Sequence, residues 1–194
     1  MTRTAALLGT VLLGLTGGCS ASSADRAPAS GTAGRSATSA MPDEIGPEHN
    51  PTDLAYVDAM TSQHQQALDM VTMAVRKDVS AVLAEEAAAI DKARSDELAA
   101  FGRLARAWDL PPHPPEFHGN PGELTVQQLS DLYALEGEAF EERWTELMID
   151  NHLGAVAMSR AELTDGLNLA ARELARALIV VQEDTAERLQ ALGR

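Results

Sequence analysis

The stretch MTSQHQQALDM, Met60 to Met70, recurs in outline as MIDNHLGAVAM, Met148 to Met158, with Met, His, Ala and Met at the same offsets. The copies lie 88 residues apart, too far for a solenoid unit and about right for a helical hairpin, so the repeat points to two hairpins packed together. At about 100° per residue, the offsets 0, 4, 7 and 10 fall near 0°, 40°, 340° and 280°, an arc of roughly 120° on one helix face. That face is also the apolar one. His64 and His152 are therefore expected to project into a bundle interior, each copy near the other.

The flanking sequence supports four long helices. Asn50 before Pro51 is a helix start, with a capping side chain followed by a residue whose missing N–H costs nothing in the first turn. Leu54, Val57, Met60, His64, Leu68, Val71 and Val75 follow at steps of three and four, which predicts a first helix from Pro51 to Arg76. Ser80 can cap a second, carried by Val82, Leu83, Ile90, Phe101 and Leu104 as far as Leu110. PPHPPEFHGNPG, Pro111 to Gly122, forbids helix and reads as an extended crossover. Thr125 and Gln128 stand at capping-box spacing for a short helix before Gly137. A longer helix is expected from Glu138 to Leu163, then a break at TDGLN and a last helix capped by Asn168. No useful stretch alternates with period two. The reading is all-α: an antiparallel four-helix bundle made of two pseudo-repeated hairpins, occupying residues 51–194.

Residues 1–18 combine Arg3, an apolar run from Ala5 to Leu15 and small residues, the layout of an export signal. LTGGC, ending at Cys19, resembles the lipobox that bacteria cleave just before a cysteine, which is then lipidated. The expected location is the cell envelope, the chain exported and held through Cys19 on the outer face of the cytoplasmic membrane. Residues 19–50, rich in Ala, Ser, Gly and Pro, bury too little to offset their ordering entropy and read as a flexible tether.

Composition narrows the chemistry. A formal charge of −14 argues against nucleic acid as a partner. Cys19 is the only cysteine, so neither an internal disulfide nor a thiolate cluster is possible, and a soft ligand has to be methionine. Imidazole with thioether suits copper, above all Cu(I). The candidate ligands are His64, His152, Met60, Met148, Met70 and Met158, with Met73 as a fifth sulfur; the same methionines could equally be core filler, and the histidines simply hydrogen-bonded. His113 and His118, with Glu116 between them, could form an exposed secondary site. Enzyme readings lack their parts. Di-iron chemistry needs Glu three residues before each His, where Thr61 and Ile149 stand, and HExxH, the P-loop and GxSxG are absent.

On the doubled M-x3-H-x2-A-x2-M motif, each copy followed by a second helix and the later one preceded by Phe140 and Trp144, the chain resembles the family known as domain of unknown function 305. The resemblance covers about Asn50 to Leu192 and implies a ferritin-like bundle, export or lipid anchoring and, for members with an assigned role, copper binding outside the cytoplasm. The family pattern has adjacent histidines, as in MIxHHxxAIxMA. Here the first of each pair is Gln63 or Asn151, amides that bind copper poorly but can hydrogen-bond to the imidazoles from beside the site. Gln182 matches a recurrent family Gln that could orient an imidazole or simply satisfy a neighbouring polar group, and Arg94 stands at the equivalent point of helix two. Two readings result: a copper-binding or buffering envelope protein, and a metal-free helical scaffold at the membrane surface.

Overall fold

A computed structural model describes residues 37–111 and 117–193. The signal, Cys19, His113 and Glu116 lie outside the described residues, so the readings placed on them rest on sequence. The chain is all-helical, with no strand among the described residues: α1 (Pro51–Arg76), α2 (Ala81–Ala107), α3 (Val126–Ala134), α4 (Gly137–Asp165) and α5 (Leu169–Leu192). Four-residue and three-residue connections turn α1 into α2 and α4 into α5, which makes both hairpins antiparallel, and α1 packs against α4 to join them. No described helix is long and apolar enough to cross a membrane.

The ends of the helices follow from their caps. Asn50 Oδ1 accepts from Thr52 N at 2.8 Å and Asp53 N at 3.0 Å, while Asp53 Oδ2 accepts Asn50 N at 2.6 Å, a reciprocal box. Thr125 and Gln128 form the expected second box at α3. Helix α2 stops at Ala107, three residues short of the expected Leu110, because Asp109 turns to φ 51° and Leu110 N reaches back to Ala105 O. Thr164 and Asp165, expected in the break, remain helical. Val75 and Val82, placed on the buried faces by periodicity, are 77% and 56% exposed; each sits in the last or first turn, where its helix overhangs its neighbours.

The 88-residue offset runs through the hydrogen bonds as well as the motif. Asp53 of α1 accepts Asn168 N, the cap of α5, at 2.9 Å; 88 positions on, Glu141 of α4 accepts Ser80 N, the cap of α2, at 2.6 Å. Gln63 Nε2 donates to Asn151 O at 2.9 Å and Asn151 Nδ2 to Gln63 O at 3.3 Å, partners separated by 88 residues. Arg94 donates to Gln182, again 88 residues away. Residues that meet their own counterpart lie on the axis relating the hairpins, so the two motifs face one another across it.

Residues 37–50, expected to belong to a free tether, are instead packed on the bundle. A 3-10 turn at Ala37–Ala40 and the chain after it lie on the bundle, with Ala37 and Met41 buried in the core beside Leu174 and Phe101. Trp108 Nε1 donates to Gly46 O at 3.2 Å, Arg103 to Pro42 O at 2.8 Å, and Asn168 Nδ2 to Gly46 O and Glu48 O, both at 2.9 Å. Met41 and Ile45 supply the apolar anchors that an average over the segment's composition hides.

Candidate metal centre

The core divides along the bundle axis. One apolar cluster holds Tyr56, Met60, Phe101 and Leu174, with Met158 against it; the other holds Met70, Trp144, Met148 and Leu189, with Met73 against it. At the level between them lies a buried polar layer formed by Gln63, His64, Arg94, Glu97, Asn151, His152 and Gln182. The six candidate ligands are thus distributed rather than gathered. The imidazoles share the middle layer. Met60 and Met148 each lie one turn from a histidine of their own helix. Met70 and Met158 lie about 9 Å further along their helices at 1.5 Å per residue.

Gln63 and Asn151, at the positions of the first family histidines, do not orient imidazoles. They staple α1 to α4 through each other's backbone, and Gln63 Nε2 also holds the crossover at Pro121 O, 3.0 Å away. That contact requires Gly154, because a Cβ there would lie 2.0 Å from Pro121 O. Gln66 completes the docking, accepting Leu124 N at 2.8 Å and donating to Leu124 O at 3.0 Å. His118 is used locally: its N–H donates to Glu123 at 2.9 Å and its ring stands 3.6 Å from Asp58.

The two histidines occupy opposite chemical states. His64 Nε2 lies 2.8 Å from Glu97 Oε2 and 3.2 Å from an Arg94 guanidinium nitrogen, with the Phe101 ring edge-on at 5.5 Å. A carboxylate only accepts, so the proton sits on Nε2 and that nitrogen has no lone pair to offer. Arg94 also contacts Glu97 and Gln182, and Gln182 Nε2 lies 3.4 Å from Glu97 Oε2. His152 instead places Nδ1 2.8 Å from Met148 O, which puts its proton on Nδ1. Its Nε2 is buried, carries the lone pair, and finds no hydrogen-bond partner among the described residues.

Electrostatics keeps both rings neutral. Burial and then the Arg94 charge hold His152 well below the ordinary histidine range, and the same two causes lower His64 against the opposing pull of Glu97. Burial alone would raise Glu97, but Arg94 and His64 hold it below the usual carboxylate value.

Glu97 had escaped the sequence reading. The available signal was a carboxylate three residues after Arg94 inside the stripe from Ile90 to Leu104, on the face that is otherwise apolar. Among the described residues no three His, Cys, Asp or Glu side chains are arranged to hold a metal, so any ion here must rest largely on thioethers. A neutral imidazole whose N–H is fixed by a backbone carbonyl and whose other nitrogen is bare is the arrangement found in metal-ligating histidines. At His152 the donor chemistry fits a soft ion; at His64 it does not.

A family profile described as domain of unknown function (DUF305) matches residues 53–193. The fold is similar to a DUF305 fragment from Deinococcus radiodurans, with 24% identity over 74% of this chain and 95% of that one and a TM-score of 0.68. A putative secreted DUF305 protein from Streptomyces coelicolor gives 23% identity over 73% and 89%, with a TM-score of 0.65. CopM in its Cu(I)-bound form gives 22% over 74% and 96%, with a TM-score of 0.62. CopM has also been solved with Cu(II) and with Ag. No curated protein sequence matches the chain.

Proposed function

The chain belongs to the family described as domain of unknown function 305, and on that footing we propose that it is an exported protein of the cell envelope that binds copper as Cu(I) inside its helical bundle. The observation that carries this is the bare, buried Nε2 of His152, held in ligand orientation by Met148 O. His152 would hold the ion, with thioethers from Met148 and Met60 as the nearest sulfur donors along the helices. Thioethers are soft donors, which favours a monovalent soft ion over a hydrated divalent one. CopM, a structural neighbour solved with copper and with silver bound, supports the same chemistry, and the neighbour described as a putative secreted protein supports export. Its role is binding or buffering rather than catalysis, with the metal ion and the membrane as partners and no nucleic acid. Cys19, once lipidated, would anchor the bundle, because acyl chains contribute about 0.8 kcal/mol per buried methylene.

Titration of metal-free protein with Cu(I) against a competing chelator tests the reading. One equivalent should bind, and His152→Ala should weaken it at least tenfold while His64→Ala has the smaller effect. A wild-type protein that takes up no Cu(I) overturns it. The second reading, a metal-free scaffold, is favoured by one observation, the buried Arg94 charge facing both imidazoles; it forecasts an unchanged melting curve in excess Cu(I), whereas ion bound to the native state alone raises the midpoint. For the anchor, Cys19→Ala should release the protein from membranes, and a variant still bound in high salt removes the lipoprotein claim.

A further inference from the structure

We propose that the Arg94 guanidinium is a built-in cation of the bundle centre: it stands at His64 where a metal ion would stand in a symmetric pair of motifs, and so leaves one imidazole open to metal instead of two. The inference builds on the reading of His152 as a ligand, but the two can fail separately.

The internal symmetry supplies the control. Arg94 and Gln182 are separated by 88 residues and touch one another, so each shows what the other hairpin carries at the same place. The second half has a neutral amide there. Glu97 likewise corresponds to Thr185, whose hydroxyl donates to Val181 O at 2.9 Å within its own helix and contributes no charge. The charges therefore occur as a pair, in one half only. Arg94 and Glu97 are each 2% exposed, and the guanidinium, which has donors only, is surrounded by the acceptors a cation needs: the Glu97 carboxylate and the Gln182 carbonyl oxygen. Arg94 Nε finds no hydrogen-bond partner among the described residues, so the side chain is held by its head alone. The pair is neutral in sum. A second cation arriving at His64 would meet the repulsion of Arg94 with the Glu97 charge already matched, and would have to strip the Nε2 proton that Glu97 holds.

The test writes the second half's pair into the first. In the double variant Arg94→Gln with Glu97→Thr, Cu(I) affinity measured by chelator competition should rise at least tenfold, and adding His64→Ala should abolish the gain. In the same variant without metal, nitrogen NMR of the imidazoles should show His64 Nε2 released from its carboxylate partner and His152 little changed. A folded double variant with unchanged Cu(I) affinity overturns the proposal. If that variant does not fold, the exchange Arg94→Gln, Glu97→Thr, Gln182→Arg and Thr185→Glu keeps the composition and moves the charges across the axis. Cu(I) binding should then depend on His64 and no longer on His152, and continued dependence on His152 overturns the proposal. A wild type without Cu(I) uptake beside a double variant that has it would end the reading of His152 and keep this one. Uptake in the wild type, lost in His152→Ala and not improved in the double variant, would do the reverse.

Discussion

His64 and His152 occupy the same position of the same motif, on helices that meet across one axis, yet one carries its proton on Nε2 and the other on Nδ1. The motif does not account for this, since Met, Ala and the buried face are common to both. The difference comes from thirty residues downstream: Arg94 and Glu97 face His64, while Gln182 and Thr185 occupy the equivalent places in the other hairpin. A ligand motif thus specifies where an imidazole points. At His64 the carboxylate on the next helix, and at His152 the carbonyl one turn back, set which nitrogen carries the lone pair.

The largest effect that would sharpen this contrast comes from breaking the charge pair. Arg94→Met should cost about 3 to 5 kcal/mol in urea unfolding, because it strands a buried carboxylate. Arg94→Met with Glu97→Leu should recover most of that loss. A single replacement costing under about 1 kcal/mol would mean the pair is not buried as described.

A second asymmetry lies one end of the bundle away, where Glu162 is buried and its counterpart 88 positions earlier is Ala74. Burial first, and the facing Asp53 carboxylate second, push Glu162 up to about 8. Its folded value lies above the unfolded one, so between about pH 4.5 and 8 the folded state keeps a proton that the unfolded state releases, and stability falls as pH rises at about 1.4 kcal/mol per unit. Between pH 5 and 8 the wild type should lose roughly 2 to 4 kcal/mol more than Glu162→Gln. Parallel pH profiles for the two proteins would refute the assignment.

The smallest effect is the most diagnostic for the histidines. His152→Leu should change stability by about 1 kcal/mol or less, since the loss of the Nδ1–H bond to Met148 O is offset by removal of a buried nitrogen with no partner among the described residues. His64→Leu should cost about 1.5 to 3 kcal/mol by removing one of the donors that satisfy the buried Glu97 carboxylate beside Arg94. Equal losses would erase the distinction between the halves.

The architecture was legible because it rests on local rules. Period, Asn50 with Pro51, and the box at Thr125 and Gln128 place helices where they occur, and the repeat spacing announces two hairpins. Errors collected where local rules stop: at Val75 and Val82, where an apolar stripe outruns its neighbour, and at Met41 and Ile45, too sparse to register until the bundle offers a surface. The residues of the polar layer, Glu97 excepted, could be named from sequence for the same reason, since a helical face is a one-dimensional pattern. Their pairing could not. Whether Gln63 meets an imidazole or Asn151 O depends on contacts 58 and 88 residues away, the division of four sulfurs between two clusters on how the helices stack, and the His64 tautomer on Glu97, 33 residues on. Burial raises the stakes of those contacts, because in an interior without water each donor needs its acceptor, and the helix that brings the acceptor is placed by packing rather than by the motif it serves.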